Sequence, residues 1–428
     1  MSQVGDVKGL SNYLCKALID RAQNPYPHVP NPEGCKKRAS VALVLRIRPN
    51  YNDWSSSSDS VSLDANQPVA DQLAAFFAHE WVQNGDPEVG FIKRAARVGD
   101  RWTSHVALPG GRRDPEDEDD KAAAVRETSE EIGLDISSSD VLYVGNLPER
   151  VVTTSFGRVP IMVLCPFIFL LTKSDVPPLK LQPTEVASMH WVPLRVLLSP
   201  SVRTYEYVDT TERFARQGGF MLRYLVLFIL GKMRFSAVRL IPSESVYCAS
   251  TEEFFPTEDV DKTVKPSFIR RLYKWSLGDG PNLSHTKPLL LWGLTLGILA
   301  DLLDRLPPHN AVQLWSYPTF TTWDAQLIIN ILTADLKKRN RSRLLAGNQT
   351  AVDNQTEAAV QYDNDAQSVR SVRDNVESNT ENIFRSYAVG IMLDGYYDKL
   401  RTAARITVVT RVVASLTVLA YIVRRFKR

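Results

Sequence analysis

The chain is short of the features that define several large protein classes. It has four cysteines in 428 residues, Cys15, Cys35, Cys165 and Cys248, and none of them forms a C-x-x-C pair. That spacing argues against a disulfide framework and against a cysteine zinc site, and reads as four reduced thiols in a protein made in the cytosol. There is no surplus of one charge: 51 Lys+Arg against 48 Asp+Glu leave a formal net charge of +3. No nucleic-acid partner is expected from so small an excess, although a local basic patch is compatible with it. The N-terminus has no long apolar core and carries Asp6, Lys8 and Asp20, so it does not read as a secretory signal. It is neither rich in Arg nor poor in acids, as a mitochondrial transit peptide would be. A wholly disordered, collagen-like or polytopic membrane chain is excluded by the ordinary composition, 44% hydrophobic and 23% charged.

What is present alternates between strand and helix patterns. Residues 1–39 form a polar extension in which Leu10, Tyr13, Leu14, Ala17 and Leu18 recur at helical spacing. Strands are expected at Ser40–Ile47, Gly90–Arg94, Trp102–Leu108, Val141–Leu147, Ile161–Leu171, Val186–Val192 and Arg234–Leu240. Helices are expected at Val69–Gln83, Lys121–Ile132, Leu289–Leu306 and Trp315–Leu336. The mixture predicts an α+β (mixed) fold. Residues 311–338 read as a helical extension. Residues 339–395, rich in Asn, Gln, Ser and Asp, read as a flexible linker. Sequons at Asn340, Asn348 and Asn354 read as chance matches in a chain without a secretory signal.

Acids crowd the stretch from Asp114 to Glu131, opposed by Lys121 and Arg126. Such a run is ordinarily a solvated surface. Spacing argues otherwise for three of them. Glu127, Glu130 and Glu131 stand at i, i+3 and i+4 and share a helix face, with Ala122, Val125, Ser129 and Ile132 expected to pack inward on the other. Three crowded carboxylates repel one another, and a divalent cation with a preference for hard oxygen ligands relieves that repulsion. The Gly110-Gly111 turn ahead of the helix lets backbone approach the same place.

At these residues the sequence resembles the Nudix hydrolase family, whose box is G-x5-E-x7-R-E-U-x-E-E-x-G-U with U a bulky apolar residue. Here Glu118 is followed by seven residues and then by Arg126-Glu127-Thr128-Ser129-Glu130-Glu131-Ile132-Gly133-Leu134. Gly111 lies six residues before Glu118 rather than five, and Thr128 stands where an aliphatic residue is usual. The extra residue, the Pro109-Gly110-Gly111 opening and the Gly157-Arg158-Val159-Pro160 stretch are similar to the coenzyme A diphosphatase-like branch. The resemblance implies a Nudix α/β/α sandwich with a mixed sheet over residues 40–310, carrying insertions at 49–88 and 199–286.

The resemblance also implies hydrolysis of a nucleoside diphosphate linked to another moiety, coenzyme A or a derivative being the leading substrate class. Glu118, Arg126, Glu127, Glu130 and Glu131 are the implied catalytic set. Glu127, Glu130, Glu131 and the Gly111 carbonyl are the implied ligands of Mg2+, with Mn2+ as the alternative ion. Arg94, Trp102 and His105 are substrate-binding candidates, the plainer readings being a core aromatic for Trp102 and a structural histidine for His105. A Nudix-fold binding or scaffold protein without catalysis is the alternative, and it would be expected to have lost box acids that this chain retains.

Ile406–Val423 is the one long apolar run: 18 residues, ten of them Ile, Leu or Val, with Arg411 inside and Arg424, Arg425, Lys427 and Arg428 behind. As a helix it would extend about 27 Å, against a hydrocarbon core of roughly 30 Å. Its aliphatic residues favour insertion by about 3–6 kcal/mol, and a central Arg opposes it by about 3. Residues 404–424 therefore read as a transmembrane tail anchor with C-terminal helix, the catalytic domain facing the cytosol at a mitochondrial outer membrane or a peroxisome. An amphipathic helix packed on the protein is the competing reading. Oligomeric state is not legible.

Overall fold

The computed structural model describes residues 7–53, 63–96, 103–154, 159–209, 231–248, 288–309, 315–357 and 388–426. Its elements run α1 (Val7–Gln23), β1 (Arg38–Arg48), α2 (Val69–Ala78), α3 (Glu80–Asn84), β2 (Asp86–Arg94), β3 (Val106–Ala107), β4 (Gly110–Arg112), α4 (Asp120–Ile132), β5 (Val141–Asn146), β6 (Arg150–Thr154), β7 (Val159–Leu171), β8 (Val186–Pro193), α5 (Leu194–Leu198), β9 (Arg203–Val208), β10 (Met233–Arg239), β11 (Glu244–Tyr247), β12 (Leu290–Trp292), α6 (Gly293–Leu303), β13 (Thr319–Phe320), α7 (Trp323–Glu357), α8 (Ala388–Leu393) and α9 (Tyr396–Phe426).

The body is built on a mixed sheet ordered β11-β8-β2-β1-β7-β5, with β3, β4 and β6 pairing β2, β1 and β7. β1 lies at its centre, parallel to β7 and antiparallel to β2. Alternation along β1 sorts two cores. Ala42 and Val44 pack with Ala124 and Ile132 of α4. Leu43, Leu45 and Ile47 pack on the other face with Leu14 and Leu18 of α1, Phe76 of α2 and Leu299 of α6. Helices therefore cover both faces, giving the mixed α+β, three-layer fold. A smaller sheet, β12-β10-β13 with β9 beside β10, is built from residues after 199.

The structure revises several boundaries. Leu290–Trp292 is a strand at the start of the expected 289–306 helix, because it pairs with Ala237–Arg239 of β10. The described parts of the 199–286 stretch, 199–209 and 231–248, are woven into both sheets, β9 and β10 into the small one and β11 onto the edge of the large one. The proposed linker begins as helix: α7 continues to Glu357. Tertiary contacts override its polar composition. Buried Asn340 donates to the carbonyls of Met392 and Asp394 (3.1 and 3.0 Å), and Leu344 packs with Val389 and Met392. Trp102, the 54–62 part of the Ser/Asp loop and residues 358–387 of the linker lie outside the described residues. Cys15 is half-buried, Cys35, Cys165 and Cys248 are buried, and the four do not form disulfides with one another.

Candidate active site

α4 is fixed at both ends by its own sequence. Asp119 caps it, accepting from the Ala122 N–H at 2.6 Å, an interaction typically worth ~1 kcal/mol. Gly133 ends it in the left-handed region at φ 70°. The inward face differs from the one expected. Ala124, Thr128, Glu131 and Ile132 are buried, whereas Ser129 is exposed. The aliphatic position of the box is occupied by a buried Thr128, whose hydroxyl donates to the Ala124 carbonyl at 2.7 Å and so is satisfied without a partner from the core.

The glycine turn meets this helix directly. Gly110 pairs with Val41 and Gly111 with Ser40 of β1. Gly110 has φ 142°, and a Cβ there would lie 2.2 Å from the Ser40 carbonyl oxygen. Its N–H donates to Glu131 Oε2 at 2.9 Å. A Cβ on Gly111 would lie 2.3 Å from the Glu127 carboxyl carbon, so backbone and carboxylate are pressed together. Glu131 is 1% exposed. Burial, with the nearby charges of Glu127 and Glu185, pushes its carboxyl up to about 8 against the opposing Gly110 N–H and Arg94. Burial likewise raises Glu127, which Arg126 partly offsets. Glu130 reaches outward, its side chain 59% exposed and 3.1 Å from Arg126.

Glu118 does not join this group. Its side chain is on the exposed side of the loop, and its backbone carbonyl accepts from Arg113 at 3.0 Å. The acid that meets Arg126 is Asp117, which accepts from Nε at 2.9 Å and from Nη2 at 3.0 Å. This two-point pair orders the loop. Arg126 also donates to the Arg112 carbonyl and stands 3.1 Å from Glu127. Counting seven residues back from Arg126 singles out Glu118, whereas the family's five-residue spacing from Gly111 falls on Asp117, which is also held in the loop by the Asp114 N–H at Oδ2, 2.8 Å away.

Arg94 is carried to Glu131 by sheet pairing. The β2–β8 register shifts between Lys93 and Arg94, an irregularity of the kind that re-aims a side chain, and Arg94 Nη1 stands 3.9 Å from Glu131 Oε1. His105 accepts the Arg94 N–H on its backbone carbonyl, and its ring meets Trp292 edge-on at 5.0 Å. Its ring thus meets the last residue of β12. Glu185 went unnoticed in the sequence. It precedes β8, its carbonyl accepts from the Ala95 N–H at 2.8 Å, and its charge acts on both Glu127 and Glu131. No spacing rule connects it to the box; only the β2–β8 pairing does.

Glu127, Glu131 and the Gly111 backbone are adjoining hard oxygens, with Glu185 near enough for its charge to act on both carboxyls, the donor chemistry that a divalent cation such as Mg2+ takes. The NUDIX domain family pattern matches residues 79–210. An uncharacterised protein of Schizosaccharomyces pombe is 32% identical over 304 residues, covering 71% of this chain and 76% of that one. A mitochondrial coenzyme A diphosphatase of Mus musculus is 39% identical over 57 residues, 13% of this chain and 27% of that one. A Nudix hydrolase crystal structure from M. smegmatis aligns at 17% identity with a TM-score of 0.23, covering 37% of this chain and 72% of that one. The chain belongs to the Nudix family. It is a hydrolase acting on diphosphate bonds, in a family that generally uses divalent metals.

Proposed function

We propose that the protein is a Mg2+-dependent diphosphatase that cleaves coenzyme A or a related nucleoside diphosphate derivative, held at a membrane by its C-terminal helix. The observation that carries the catalytic reading is the buried, charge-rich junction of Glu127, Glu131 and Glu185 with the Gly110-Gly111 backbone. Glu127, Glu131, the more exposed Glu130 and the Gly111 carbonyl are the residues that would hold the cation. The ion would supply charge neutralisation at the diphosphate and a more acidic water.

The remaining work falls to the chain's own groups. The Gly110 N–H holds the Glu131 carboxylate in one orientation. Arg94, on the same carboxylate, offers a cationic edge for an anionic substrate. Arg126, clamped by Asp117, holds Glu127 and Glu130 apart from one another's charge. Support for the substrate class comes from the short alignment with the murine coenzyme A diphosphatase. Support for the tether comes from Val389–Phe426, the candidate span among the described residues, with mean hydropathy 2.0 in its most apolar window and 6% of that window buried.

Hydrolysis of coenzyme A, ADP-ribose, dinucleoside polyphosphates and capped RNA, compared with Mg2+ present, tests the substrate. A strong preference for coenzyme A derivatives is expected; equal or better turnover of capped RNA would sink that choice. Full release of the protein by alkaline carbonate would refute the tether.

A further inference from the structure

The C-terminal helix leaves the body alongside α7, and the contacts fix how the two helices run. Asn340 of α7 bonds the carbonyls of Met392 and Asp394, Lys337 lies 5.9 Å from the Tyr396 ring, and Arg411 of α9 pairs with Asp324 at the start of α7. The helices are therefore antiparallel, and α9 passes the end of α7 at Arg411. Beyond that point Val412–Val423 provides about a dozen residues, roughly 18 Å of helix. A hydrocarbon core is roughly 30 Å thick. The free part of α9 is too short to cross it alone.

Three features of α7 match the missing length. Trp323, Leu327 and Ile331, one turn apart, are 76%, 54% and 68% exposed and form an apolar stripe along the part of α7 that runs beside α9, where Ile406 and Val409 are exposed too. The stripe ends at Ile331, and Asp335 and Lys338 follow on that side. By the same antiparallel pairing, Ile331 stands near the height of Arg405, the exposed cation that precedes the apolar run of α9. The only ionic groups inside the run's height on these two helices are Arg411 and Asp324. They neutralise each other through two contacts, Nε to Oδ2 at 2.6 Å and Nη2 to Oδ1 at 2.5 Å.

Resting on the tether reading, we propose that the first two turns of α7 are a second membrane element. Trp323, Leu327 and Ile331 enter the same phospholipid leaflet as α9, and Arg411 enters it as an ion pair with Asp324. The start of α7, level with Arg411, then lies about 9–12 Å below the level of Arg405, at the lower edge of the roughly 5–10 Å depth reached by interfacial helices. The protein is seated on the bilayer by two helices rather than hung from it by one.

The test uses the full chain on phosphatidylcholine vesicles. A nitrobenzoxadiazole label at L327C is compared with one at S342C, an exposed site farther along α7, using lipids brominated in the acyl chains. The expected result is at least twofold stronger quenching at 327, and at least a fivefold fall in the carbonate-resistant fraction of W323S/L327S/I331S with its circular dichroism melt unchanged. Equal quenching at 327 and 342, in protein that stays on the vesicles, overturns the two-helix seat while leaving the tether standing. Release of the wild type by carbonate overturns both.

Discussion

Two acidic clusters flank α4, and their difference separates a structural charge from a chemical one. At the N-terminal end His28, Asp120 and Glu149 bring ligand atoms within 4.8 Å of one another, a geometry that could hold an ion. Arg38 stands there instead. Its guanidinium reaches Asp120 and Glu149 at 2.7 Å each, and donates further to the Val29 carbonyl and Asn31. At the C-terminal end Glu131 stands 3.9 Å from Arg94 and accepts the Gly110 N–H, and Glu127 stands 3.1 Å from the outward Arg126. In the first cluster a buried guanidinium is bonded to two acids at once. In the second, burial holds the Glu127 and Glu131 carboxyls above the usual range. Density of acids is common to both; the closeness of the guanidinium to the buried carboxylate, 2.7 Å against 3.9 Å, separates them.

Substitutions can break that contrast from either side. Arg38→Met strands Asp120 and Glu149 in a buried environment and is expected to cost about 3–5 kcal/mol in chemical denaturation. A loss under 1 kcal/mol would mean the cluster is not held by Arg38. Glu131→Gln is expected to lower turnover at least ~100-fold, near 3 kcal/mol of barrier, while leaving the fold intact. Wild-type turnover would remove Glu131 from the chemistry.

The same variant carries a pH signature. The folded carboxyl of Glu131 titrates above the usual range, so its protonated form favours the fold, and that stability is lost as pH rises toward about 8. Metal-free wild type should therefore melt lower at pH 8.5 than at pH 6, Glu131→Gln should flatten that slope, and Mg2+ should raise the wild-type melt at pH 8.5 but scarcely raise the variant's. Asp117→Asn, which weakens the clamp on Arg126, should cost about 1–3 kcal/mol and lower turnover less than Glu131→Gln does. Glu118→Gln is the smallest change, expected within ~0.5 kcal/mol in stability and near wild type in rate. A Glu118 effect exceeding that of Asp117 would reverse the assignment made from the geometry.

The parts legible in the sequence are those written locally. The i, i+3, i+4 spacing of Glu127, Glu130 and Glu131 belongs to a helix expected at Lys121–Ile132, which is α4 to within a residue at its start, and Asp119 and Gly133 are the local residues that fix its ends. The alternation of β1 separates its two cores. What escaped depends on contacts between distant residues. Arg38 neutralises Asp120 across 82 positions, and Glu185 reaches the site only because β8 pairs β2. Leu290–Trp292 looked helical because its apolar run is continuous with that of α6, while its pairing with β10 makes it a strand. Polar composition concealed the continuation of α7, since Asn340 and Arg343 find their partners about 50 residues later.

The Asp117–Arg126 pair has a consequence for how such sites diverge. The loop between Gly111 and α4 is stitched near both ends, by Arg126 on the Arg112 carbonyl and by Asp117 on Arg126. A change of length between those stitches would also have to keep Arg113 on the Asp117 and Glu118 carbonyls and the Asp114 N–H on Asp117 Oδ2. Five residues counted from the glycine and the bond to the arginine point to the same acid, Asp117. The pairing of that acid with its arginine is then a mark by which a working relative can be recognised.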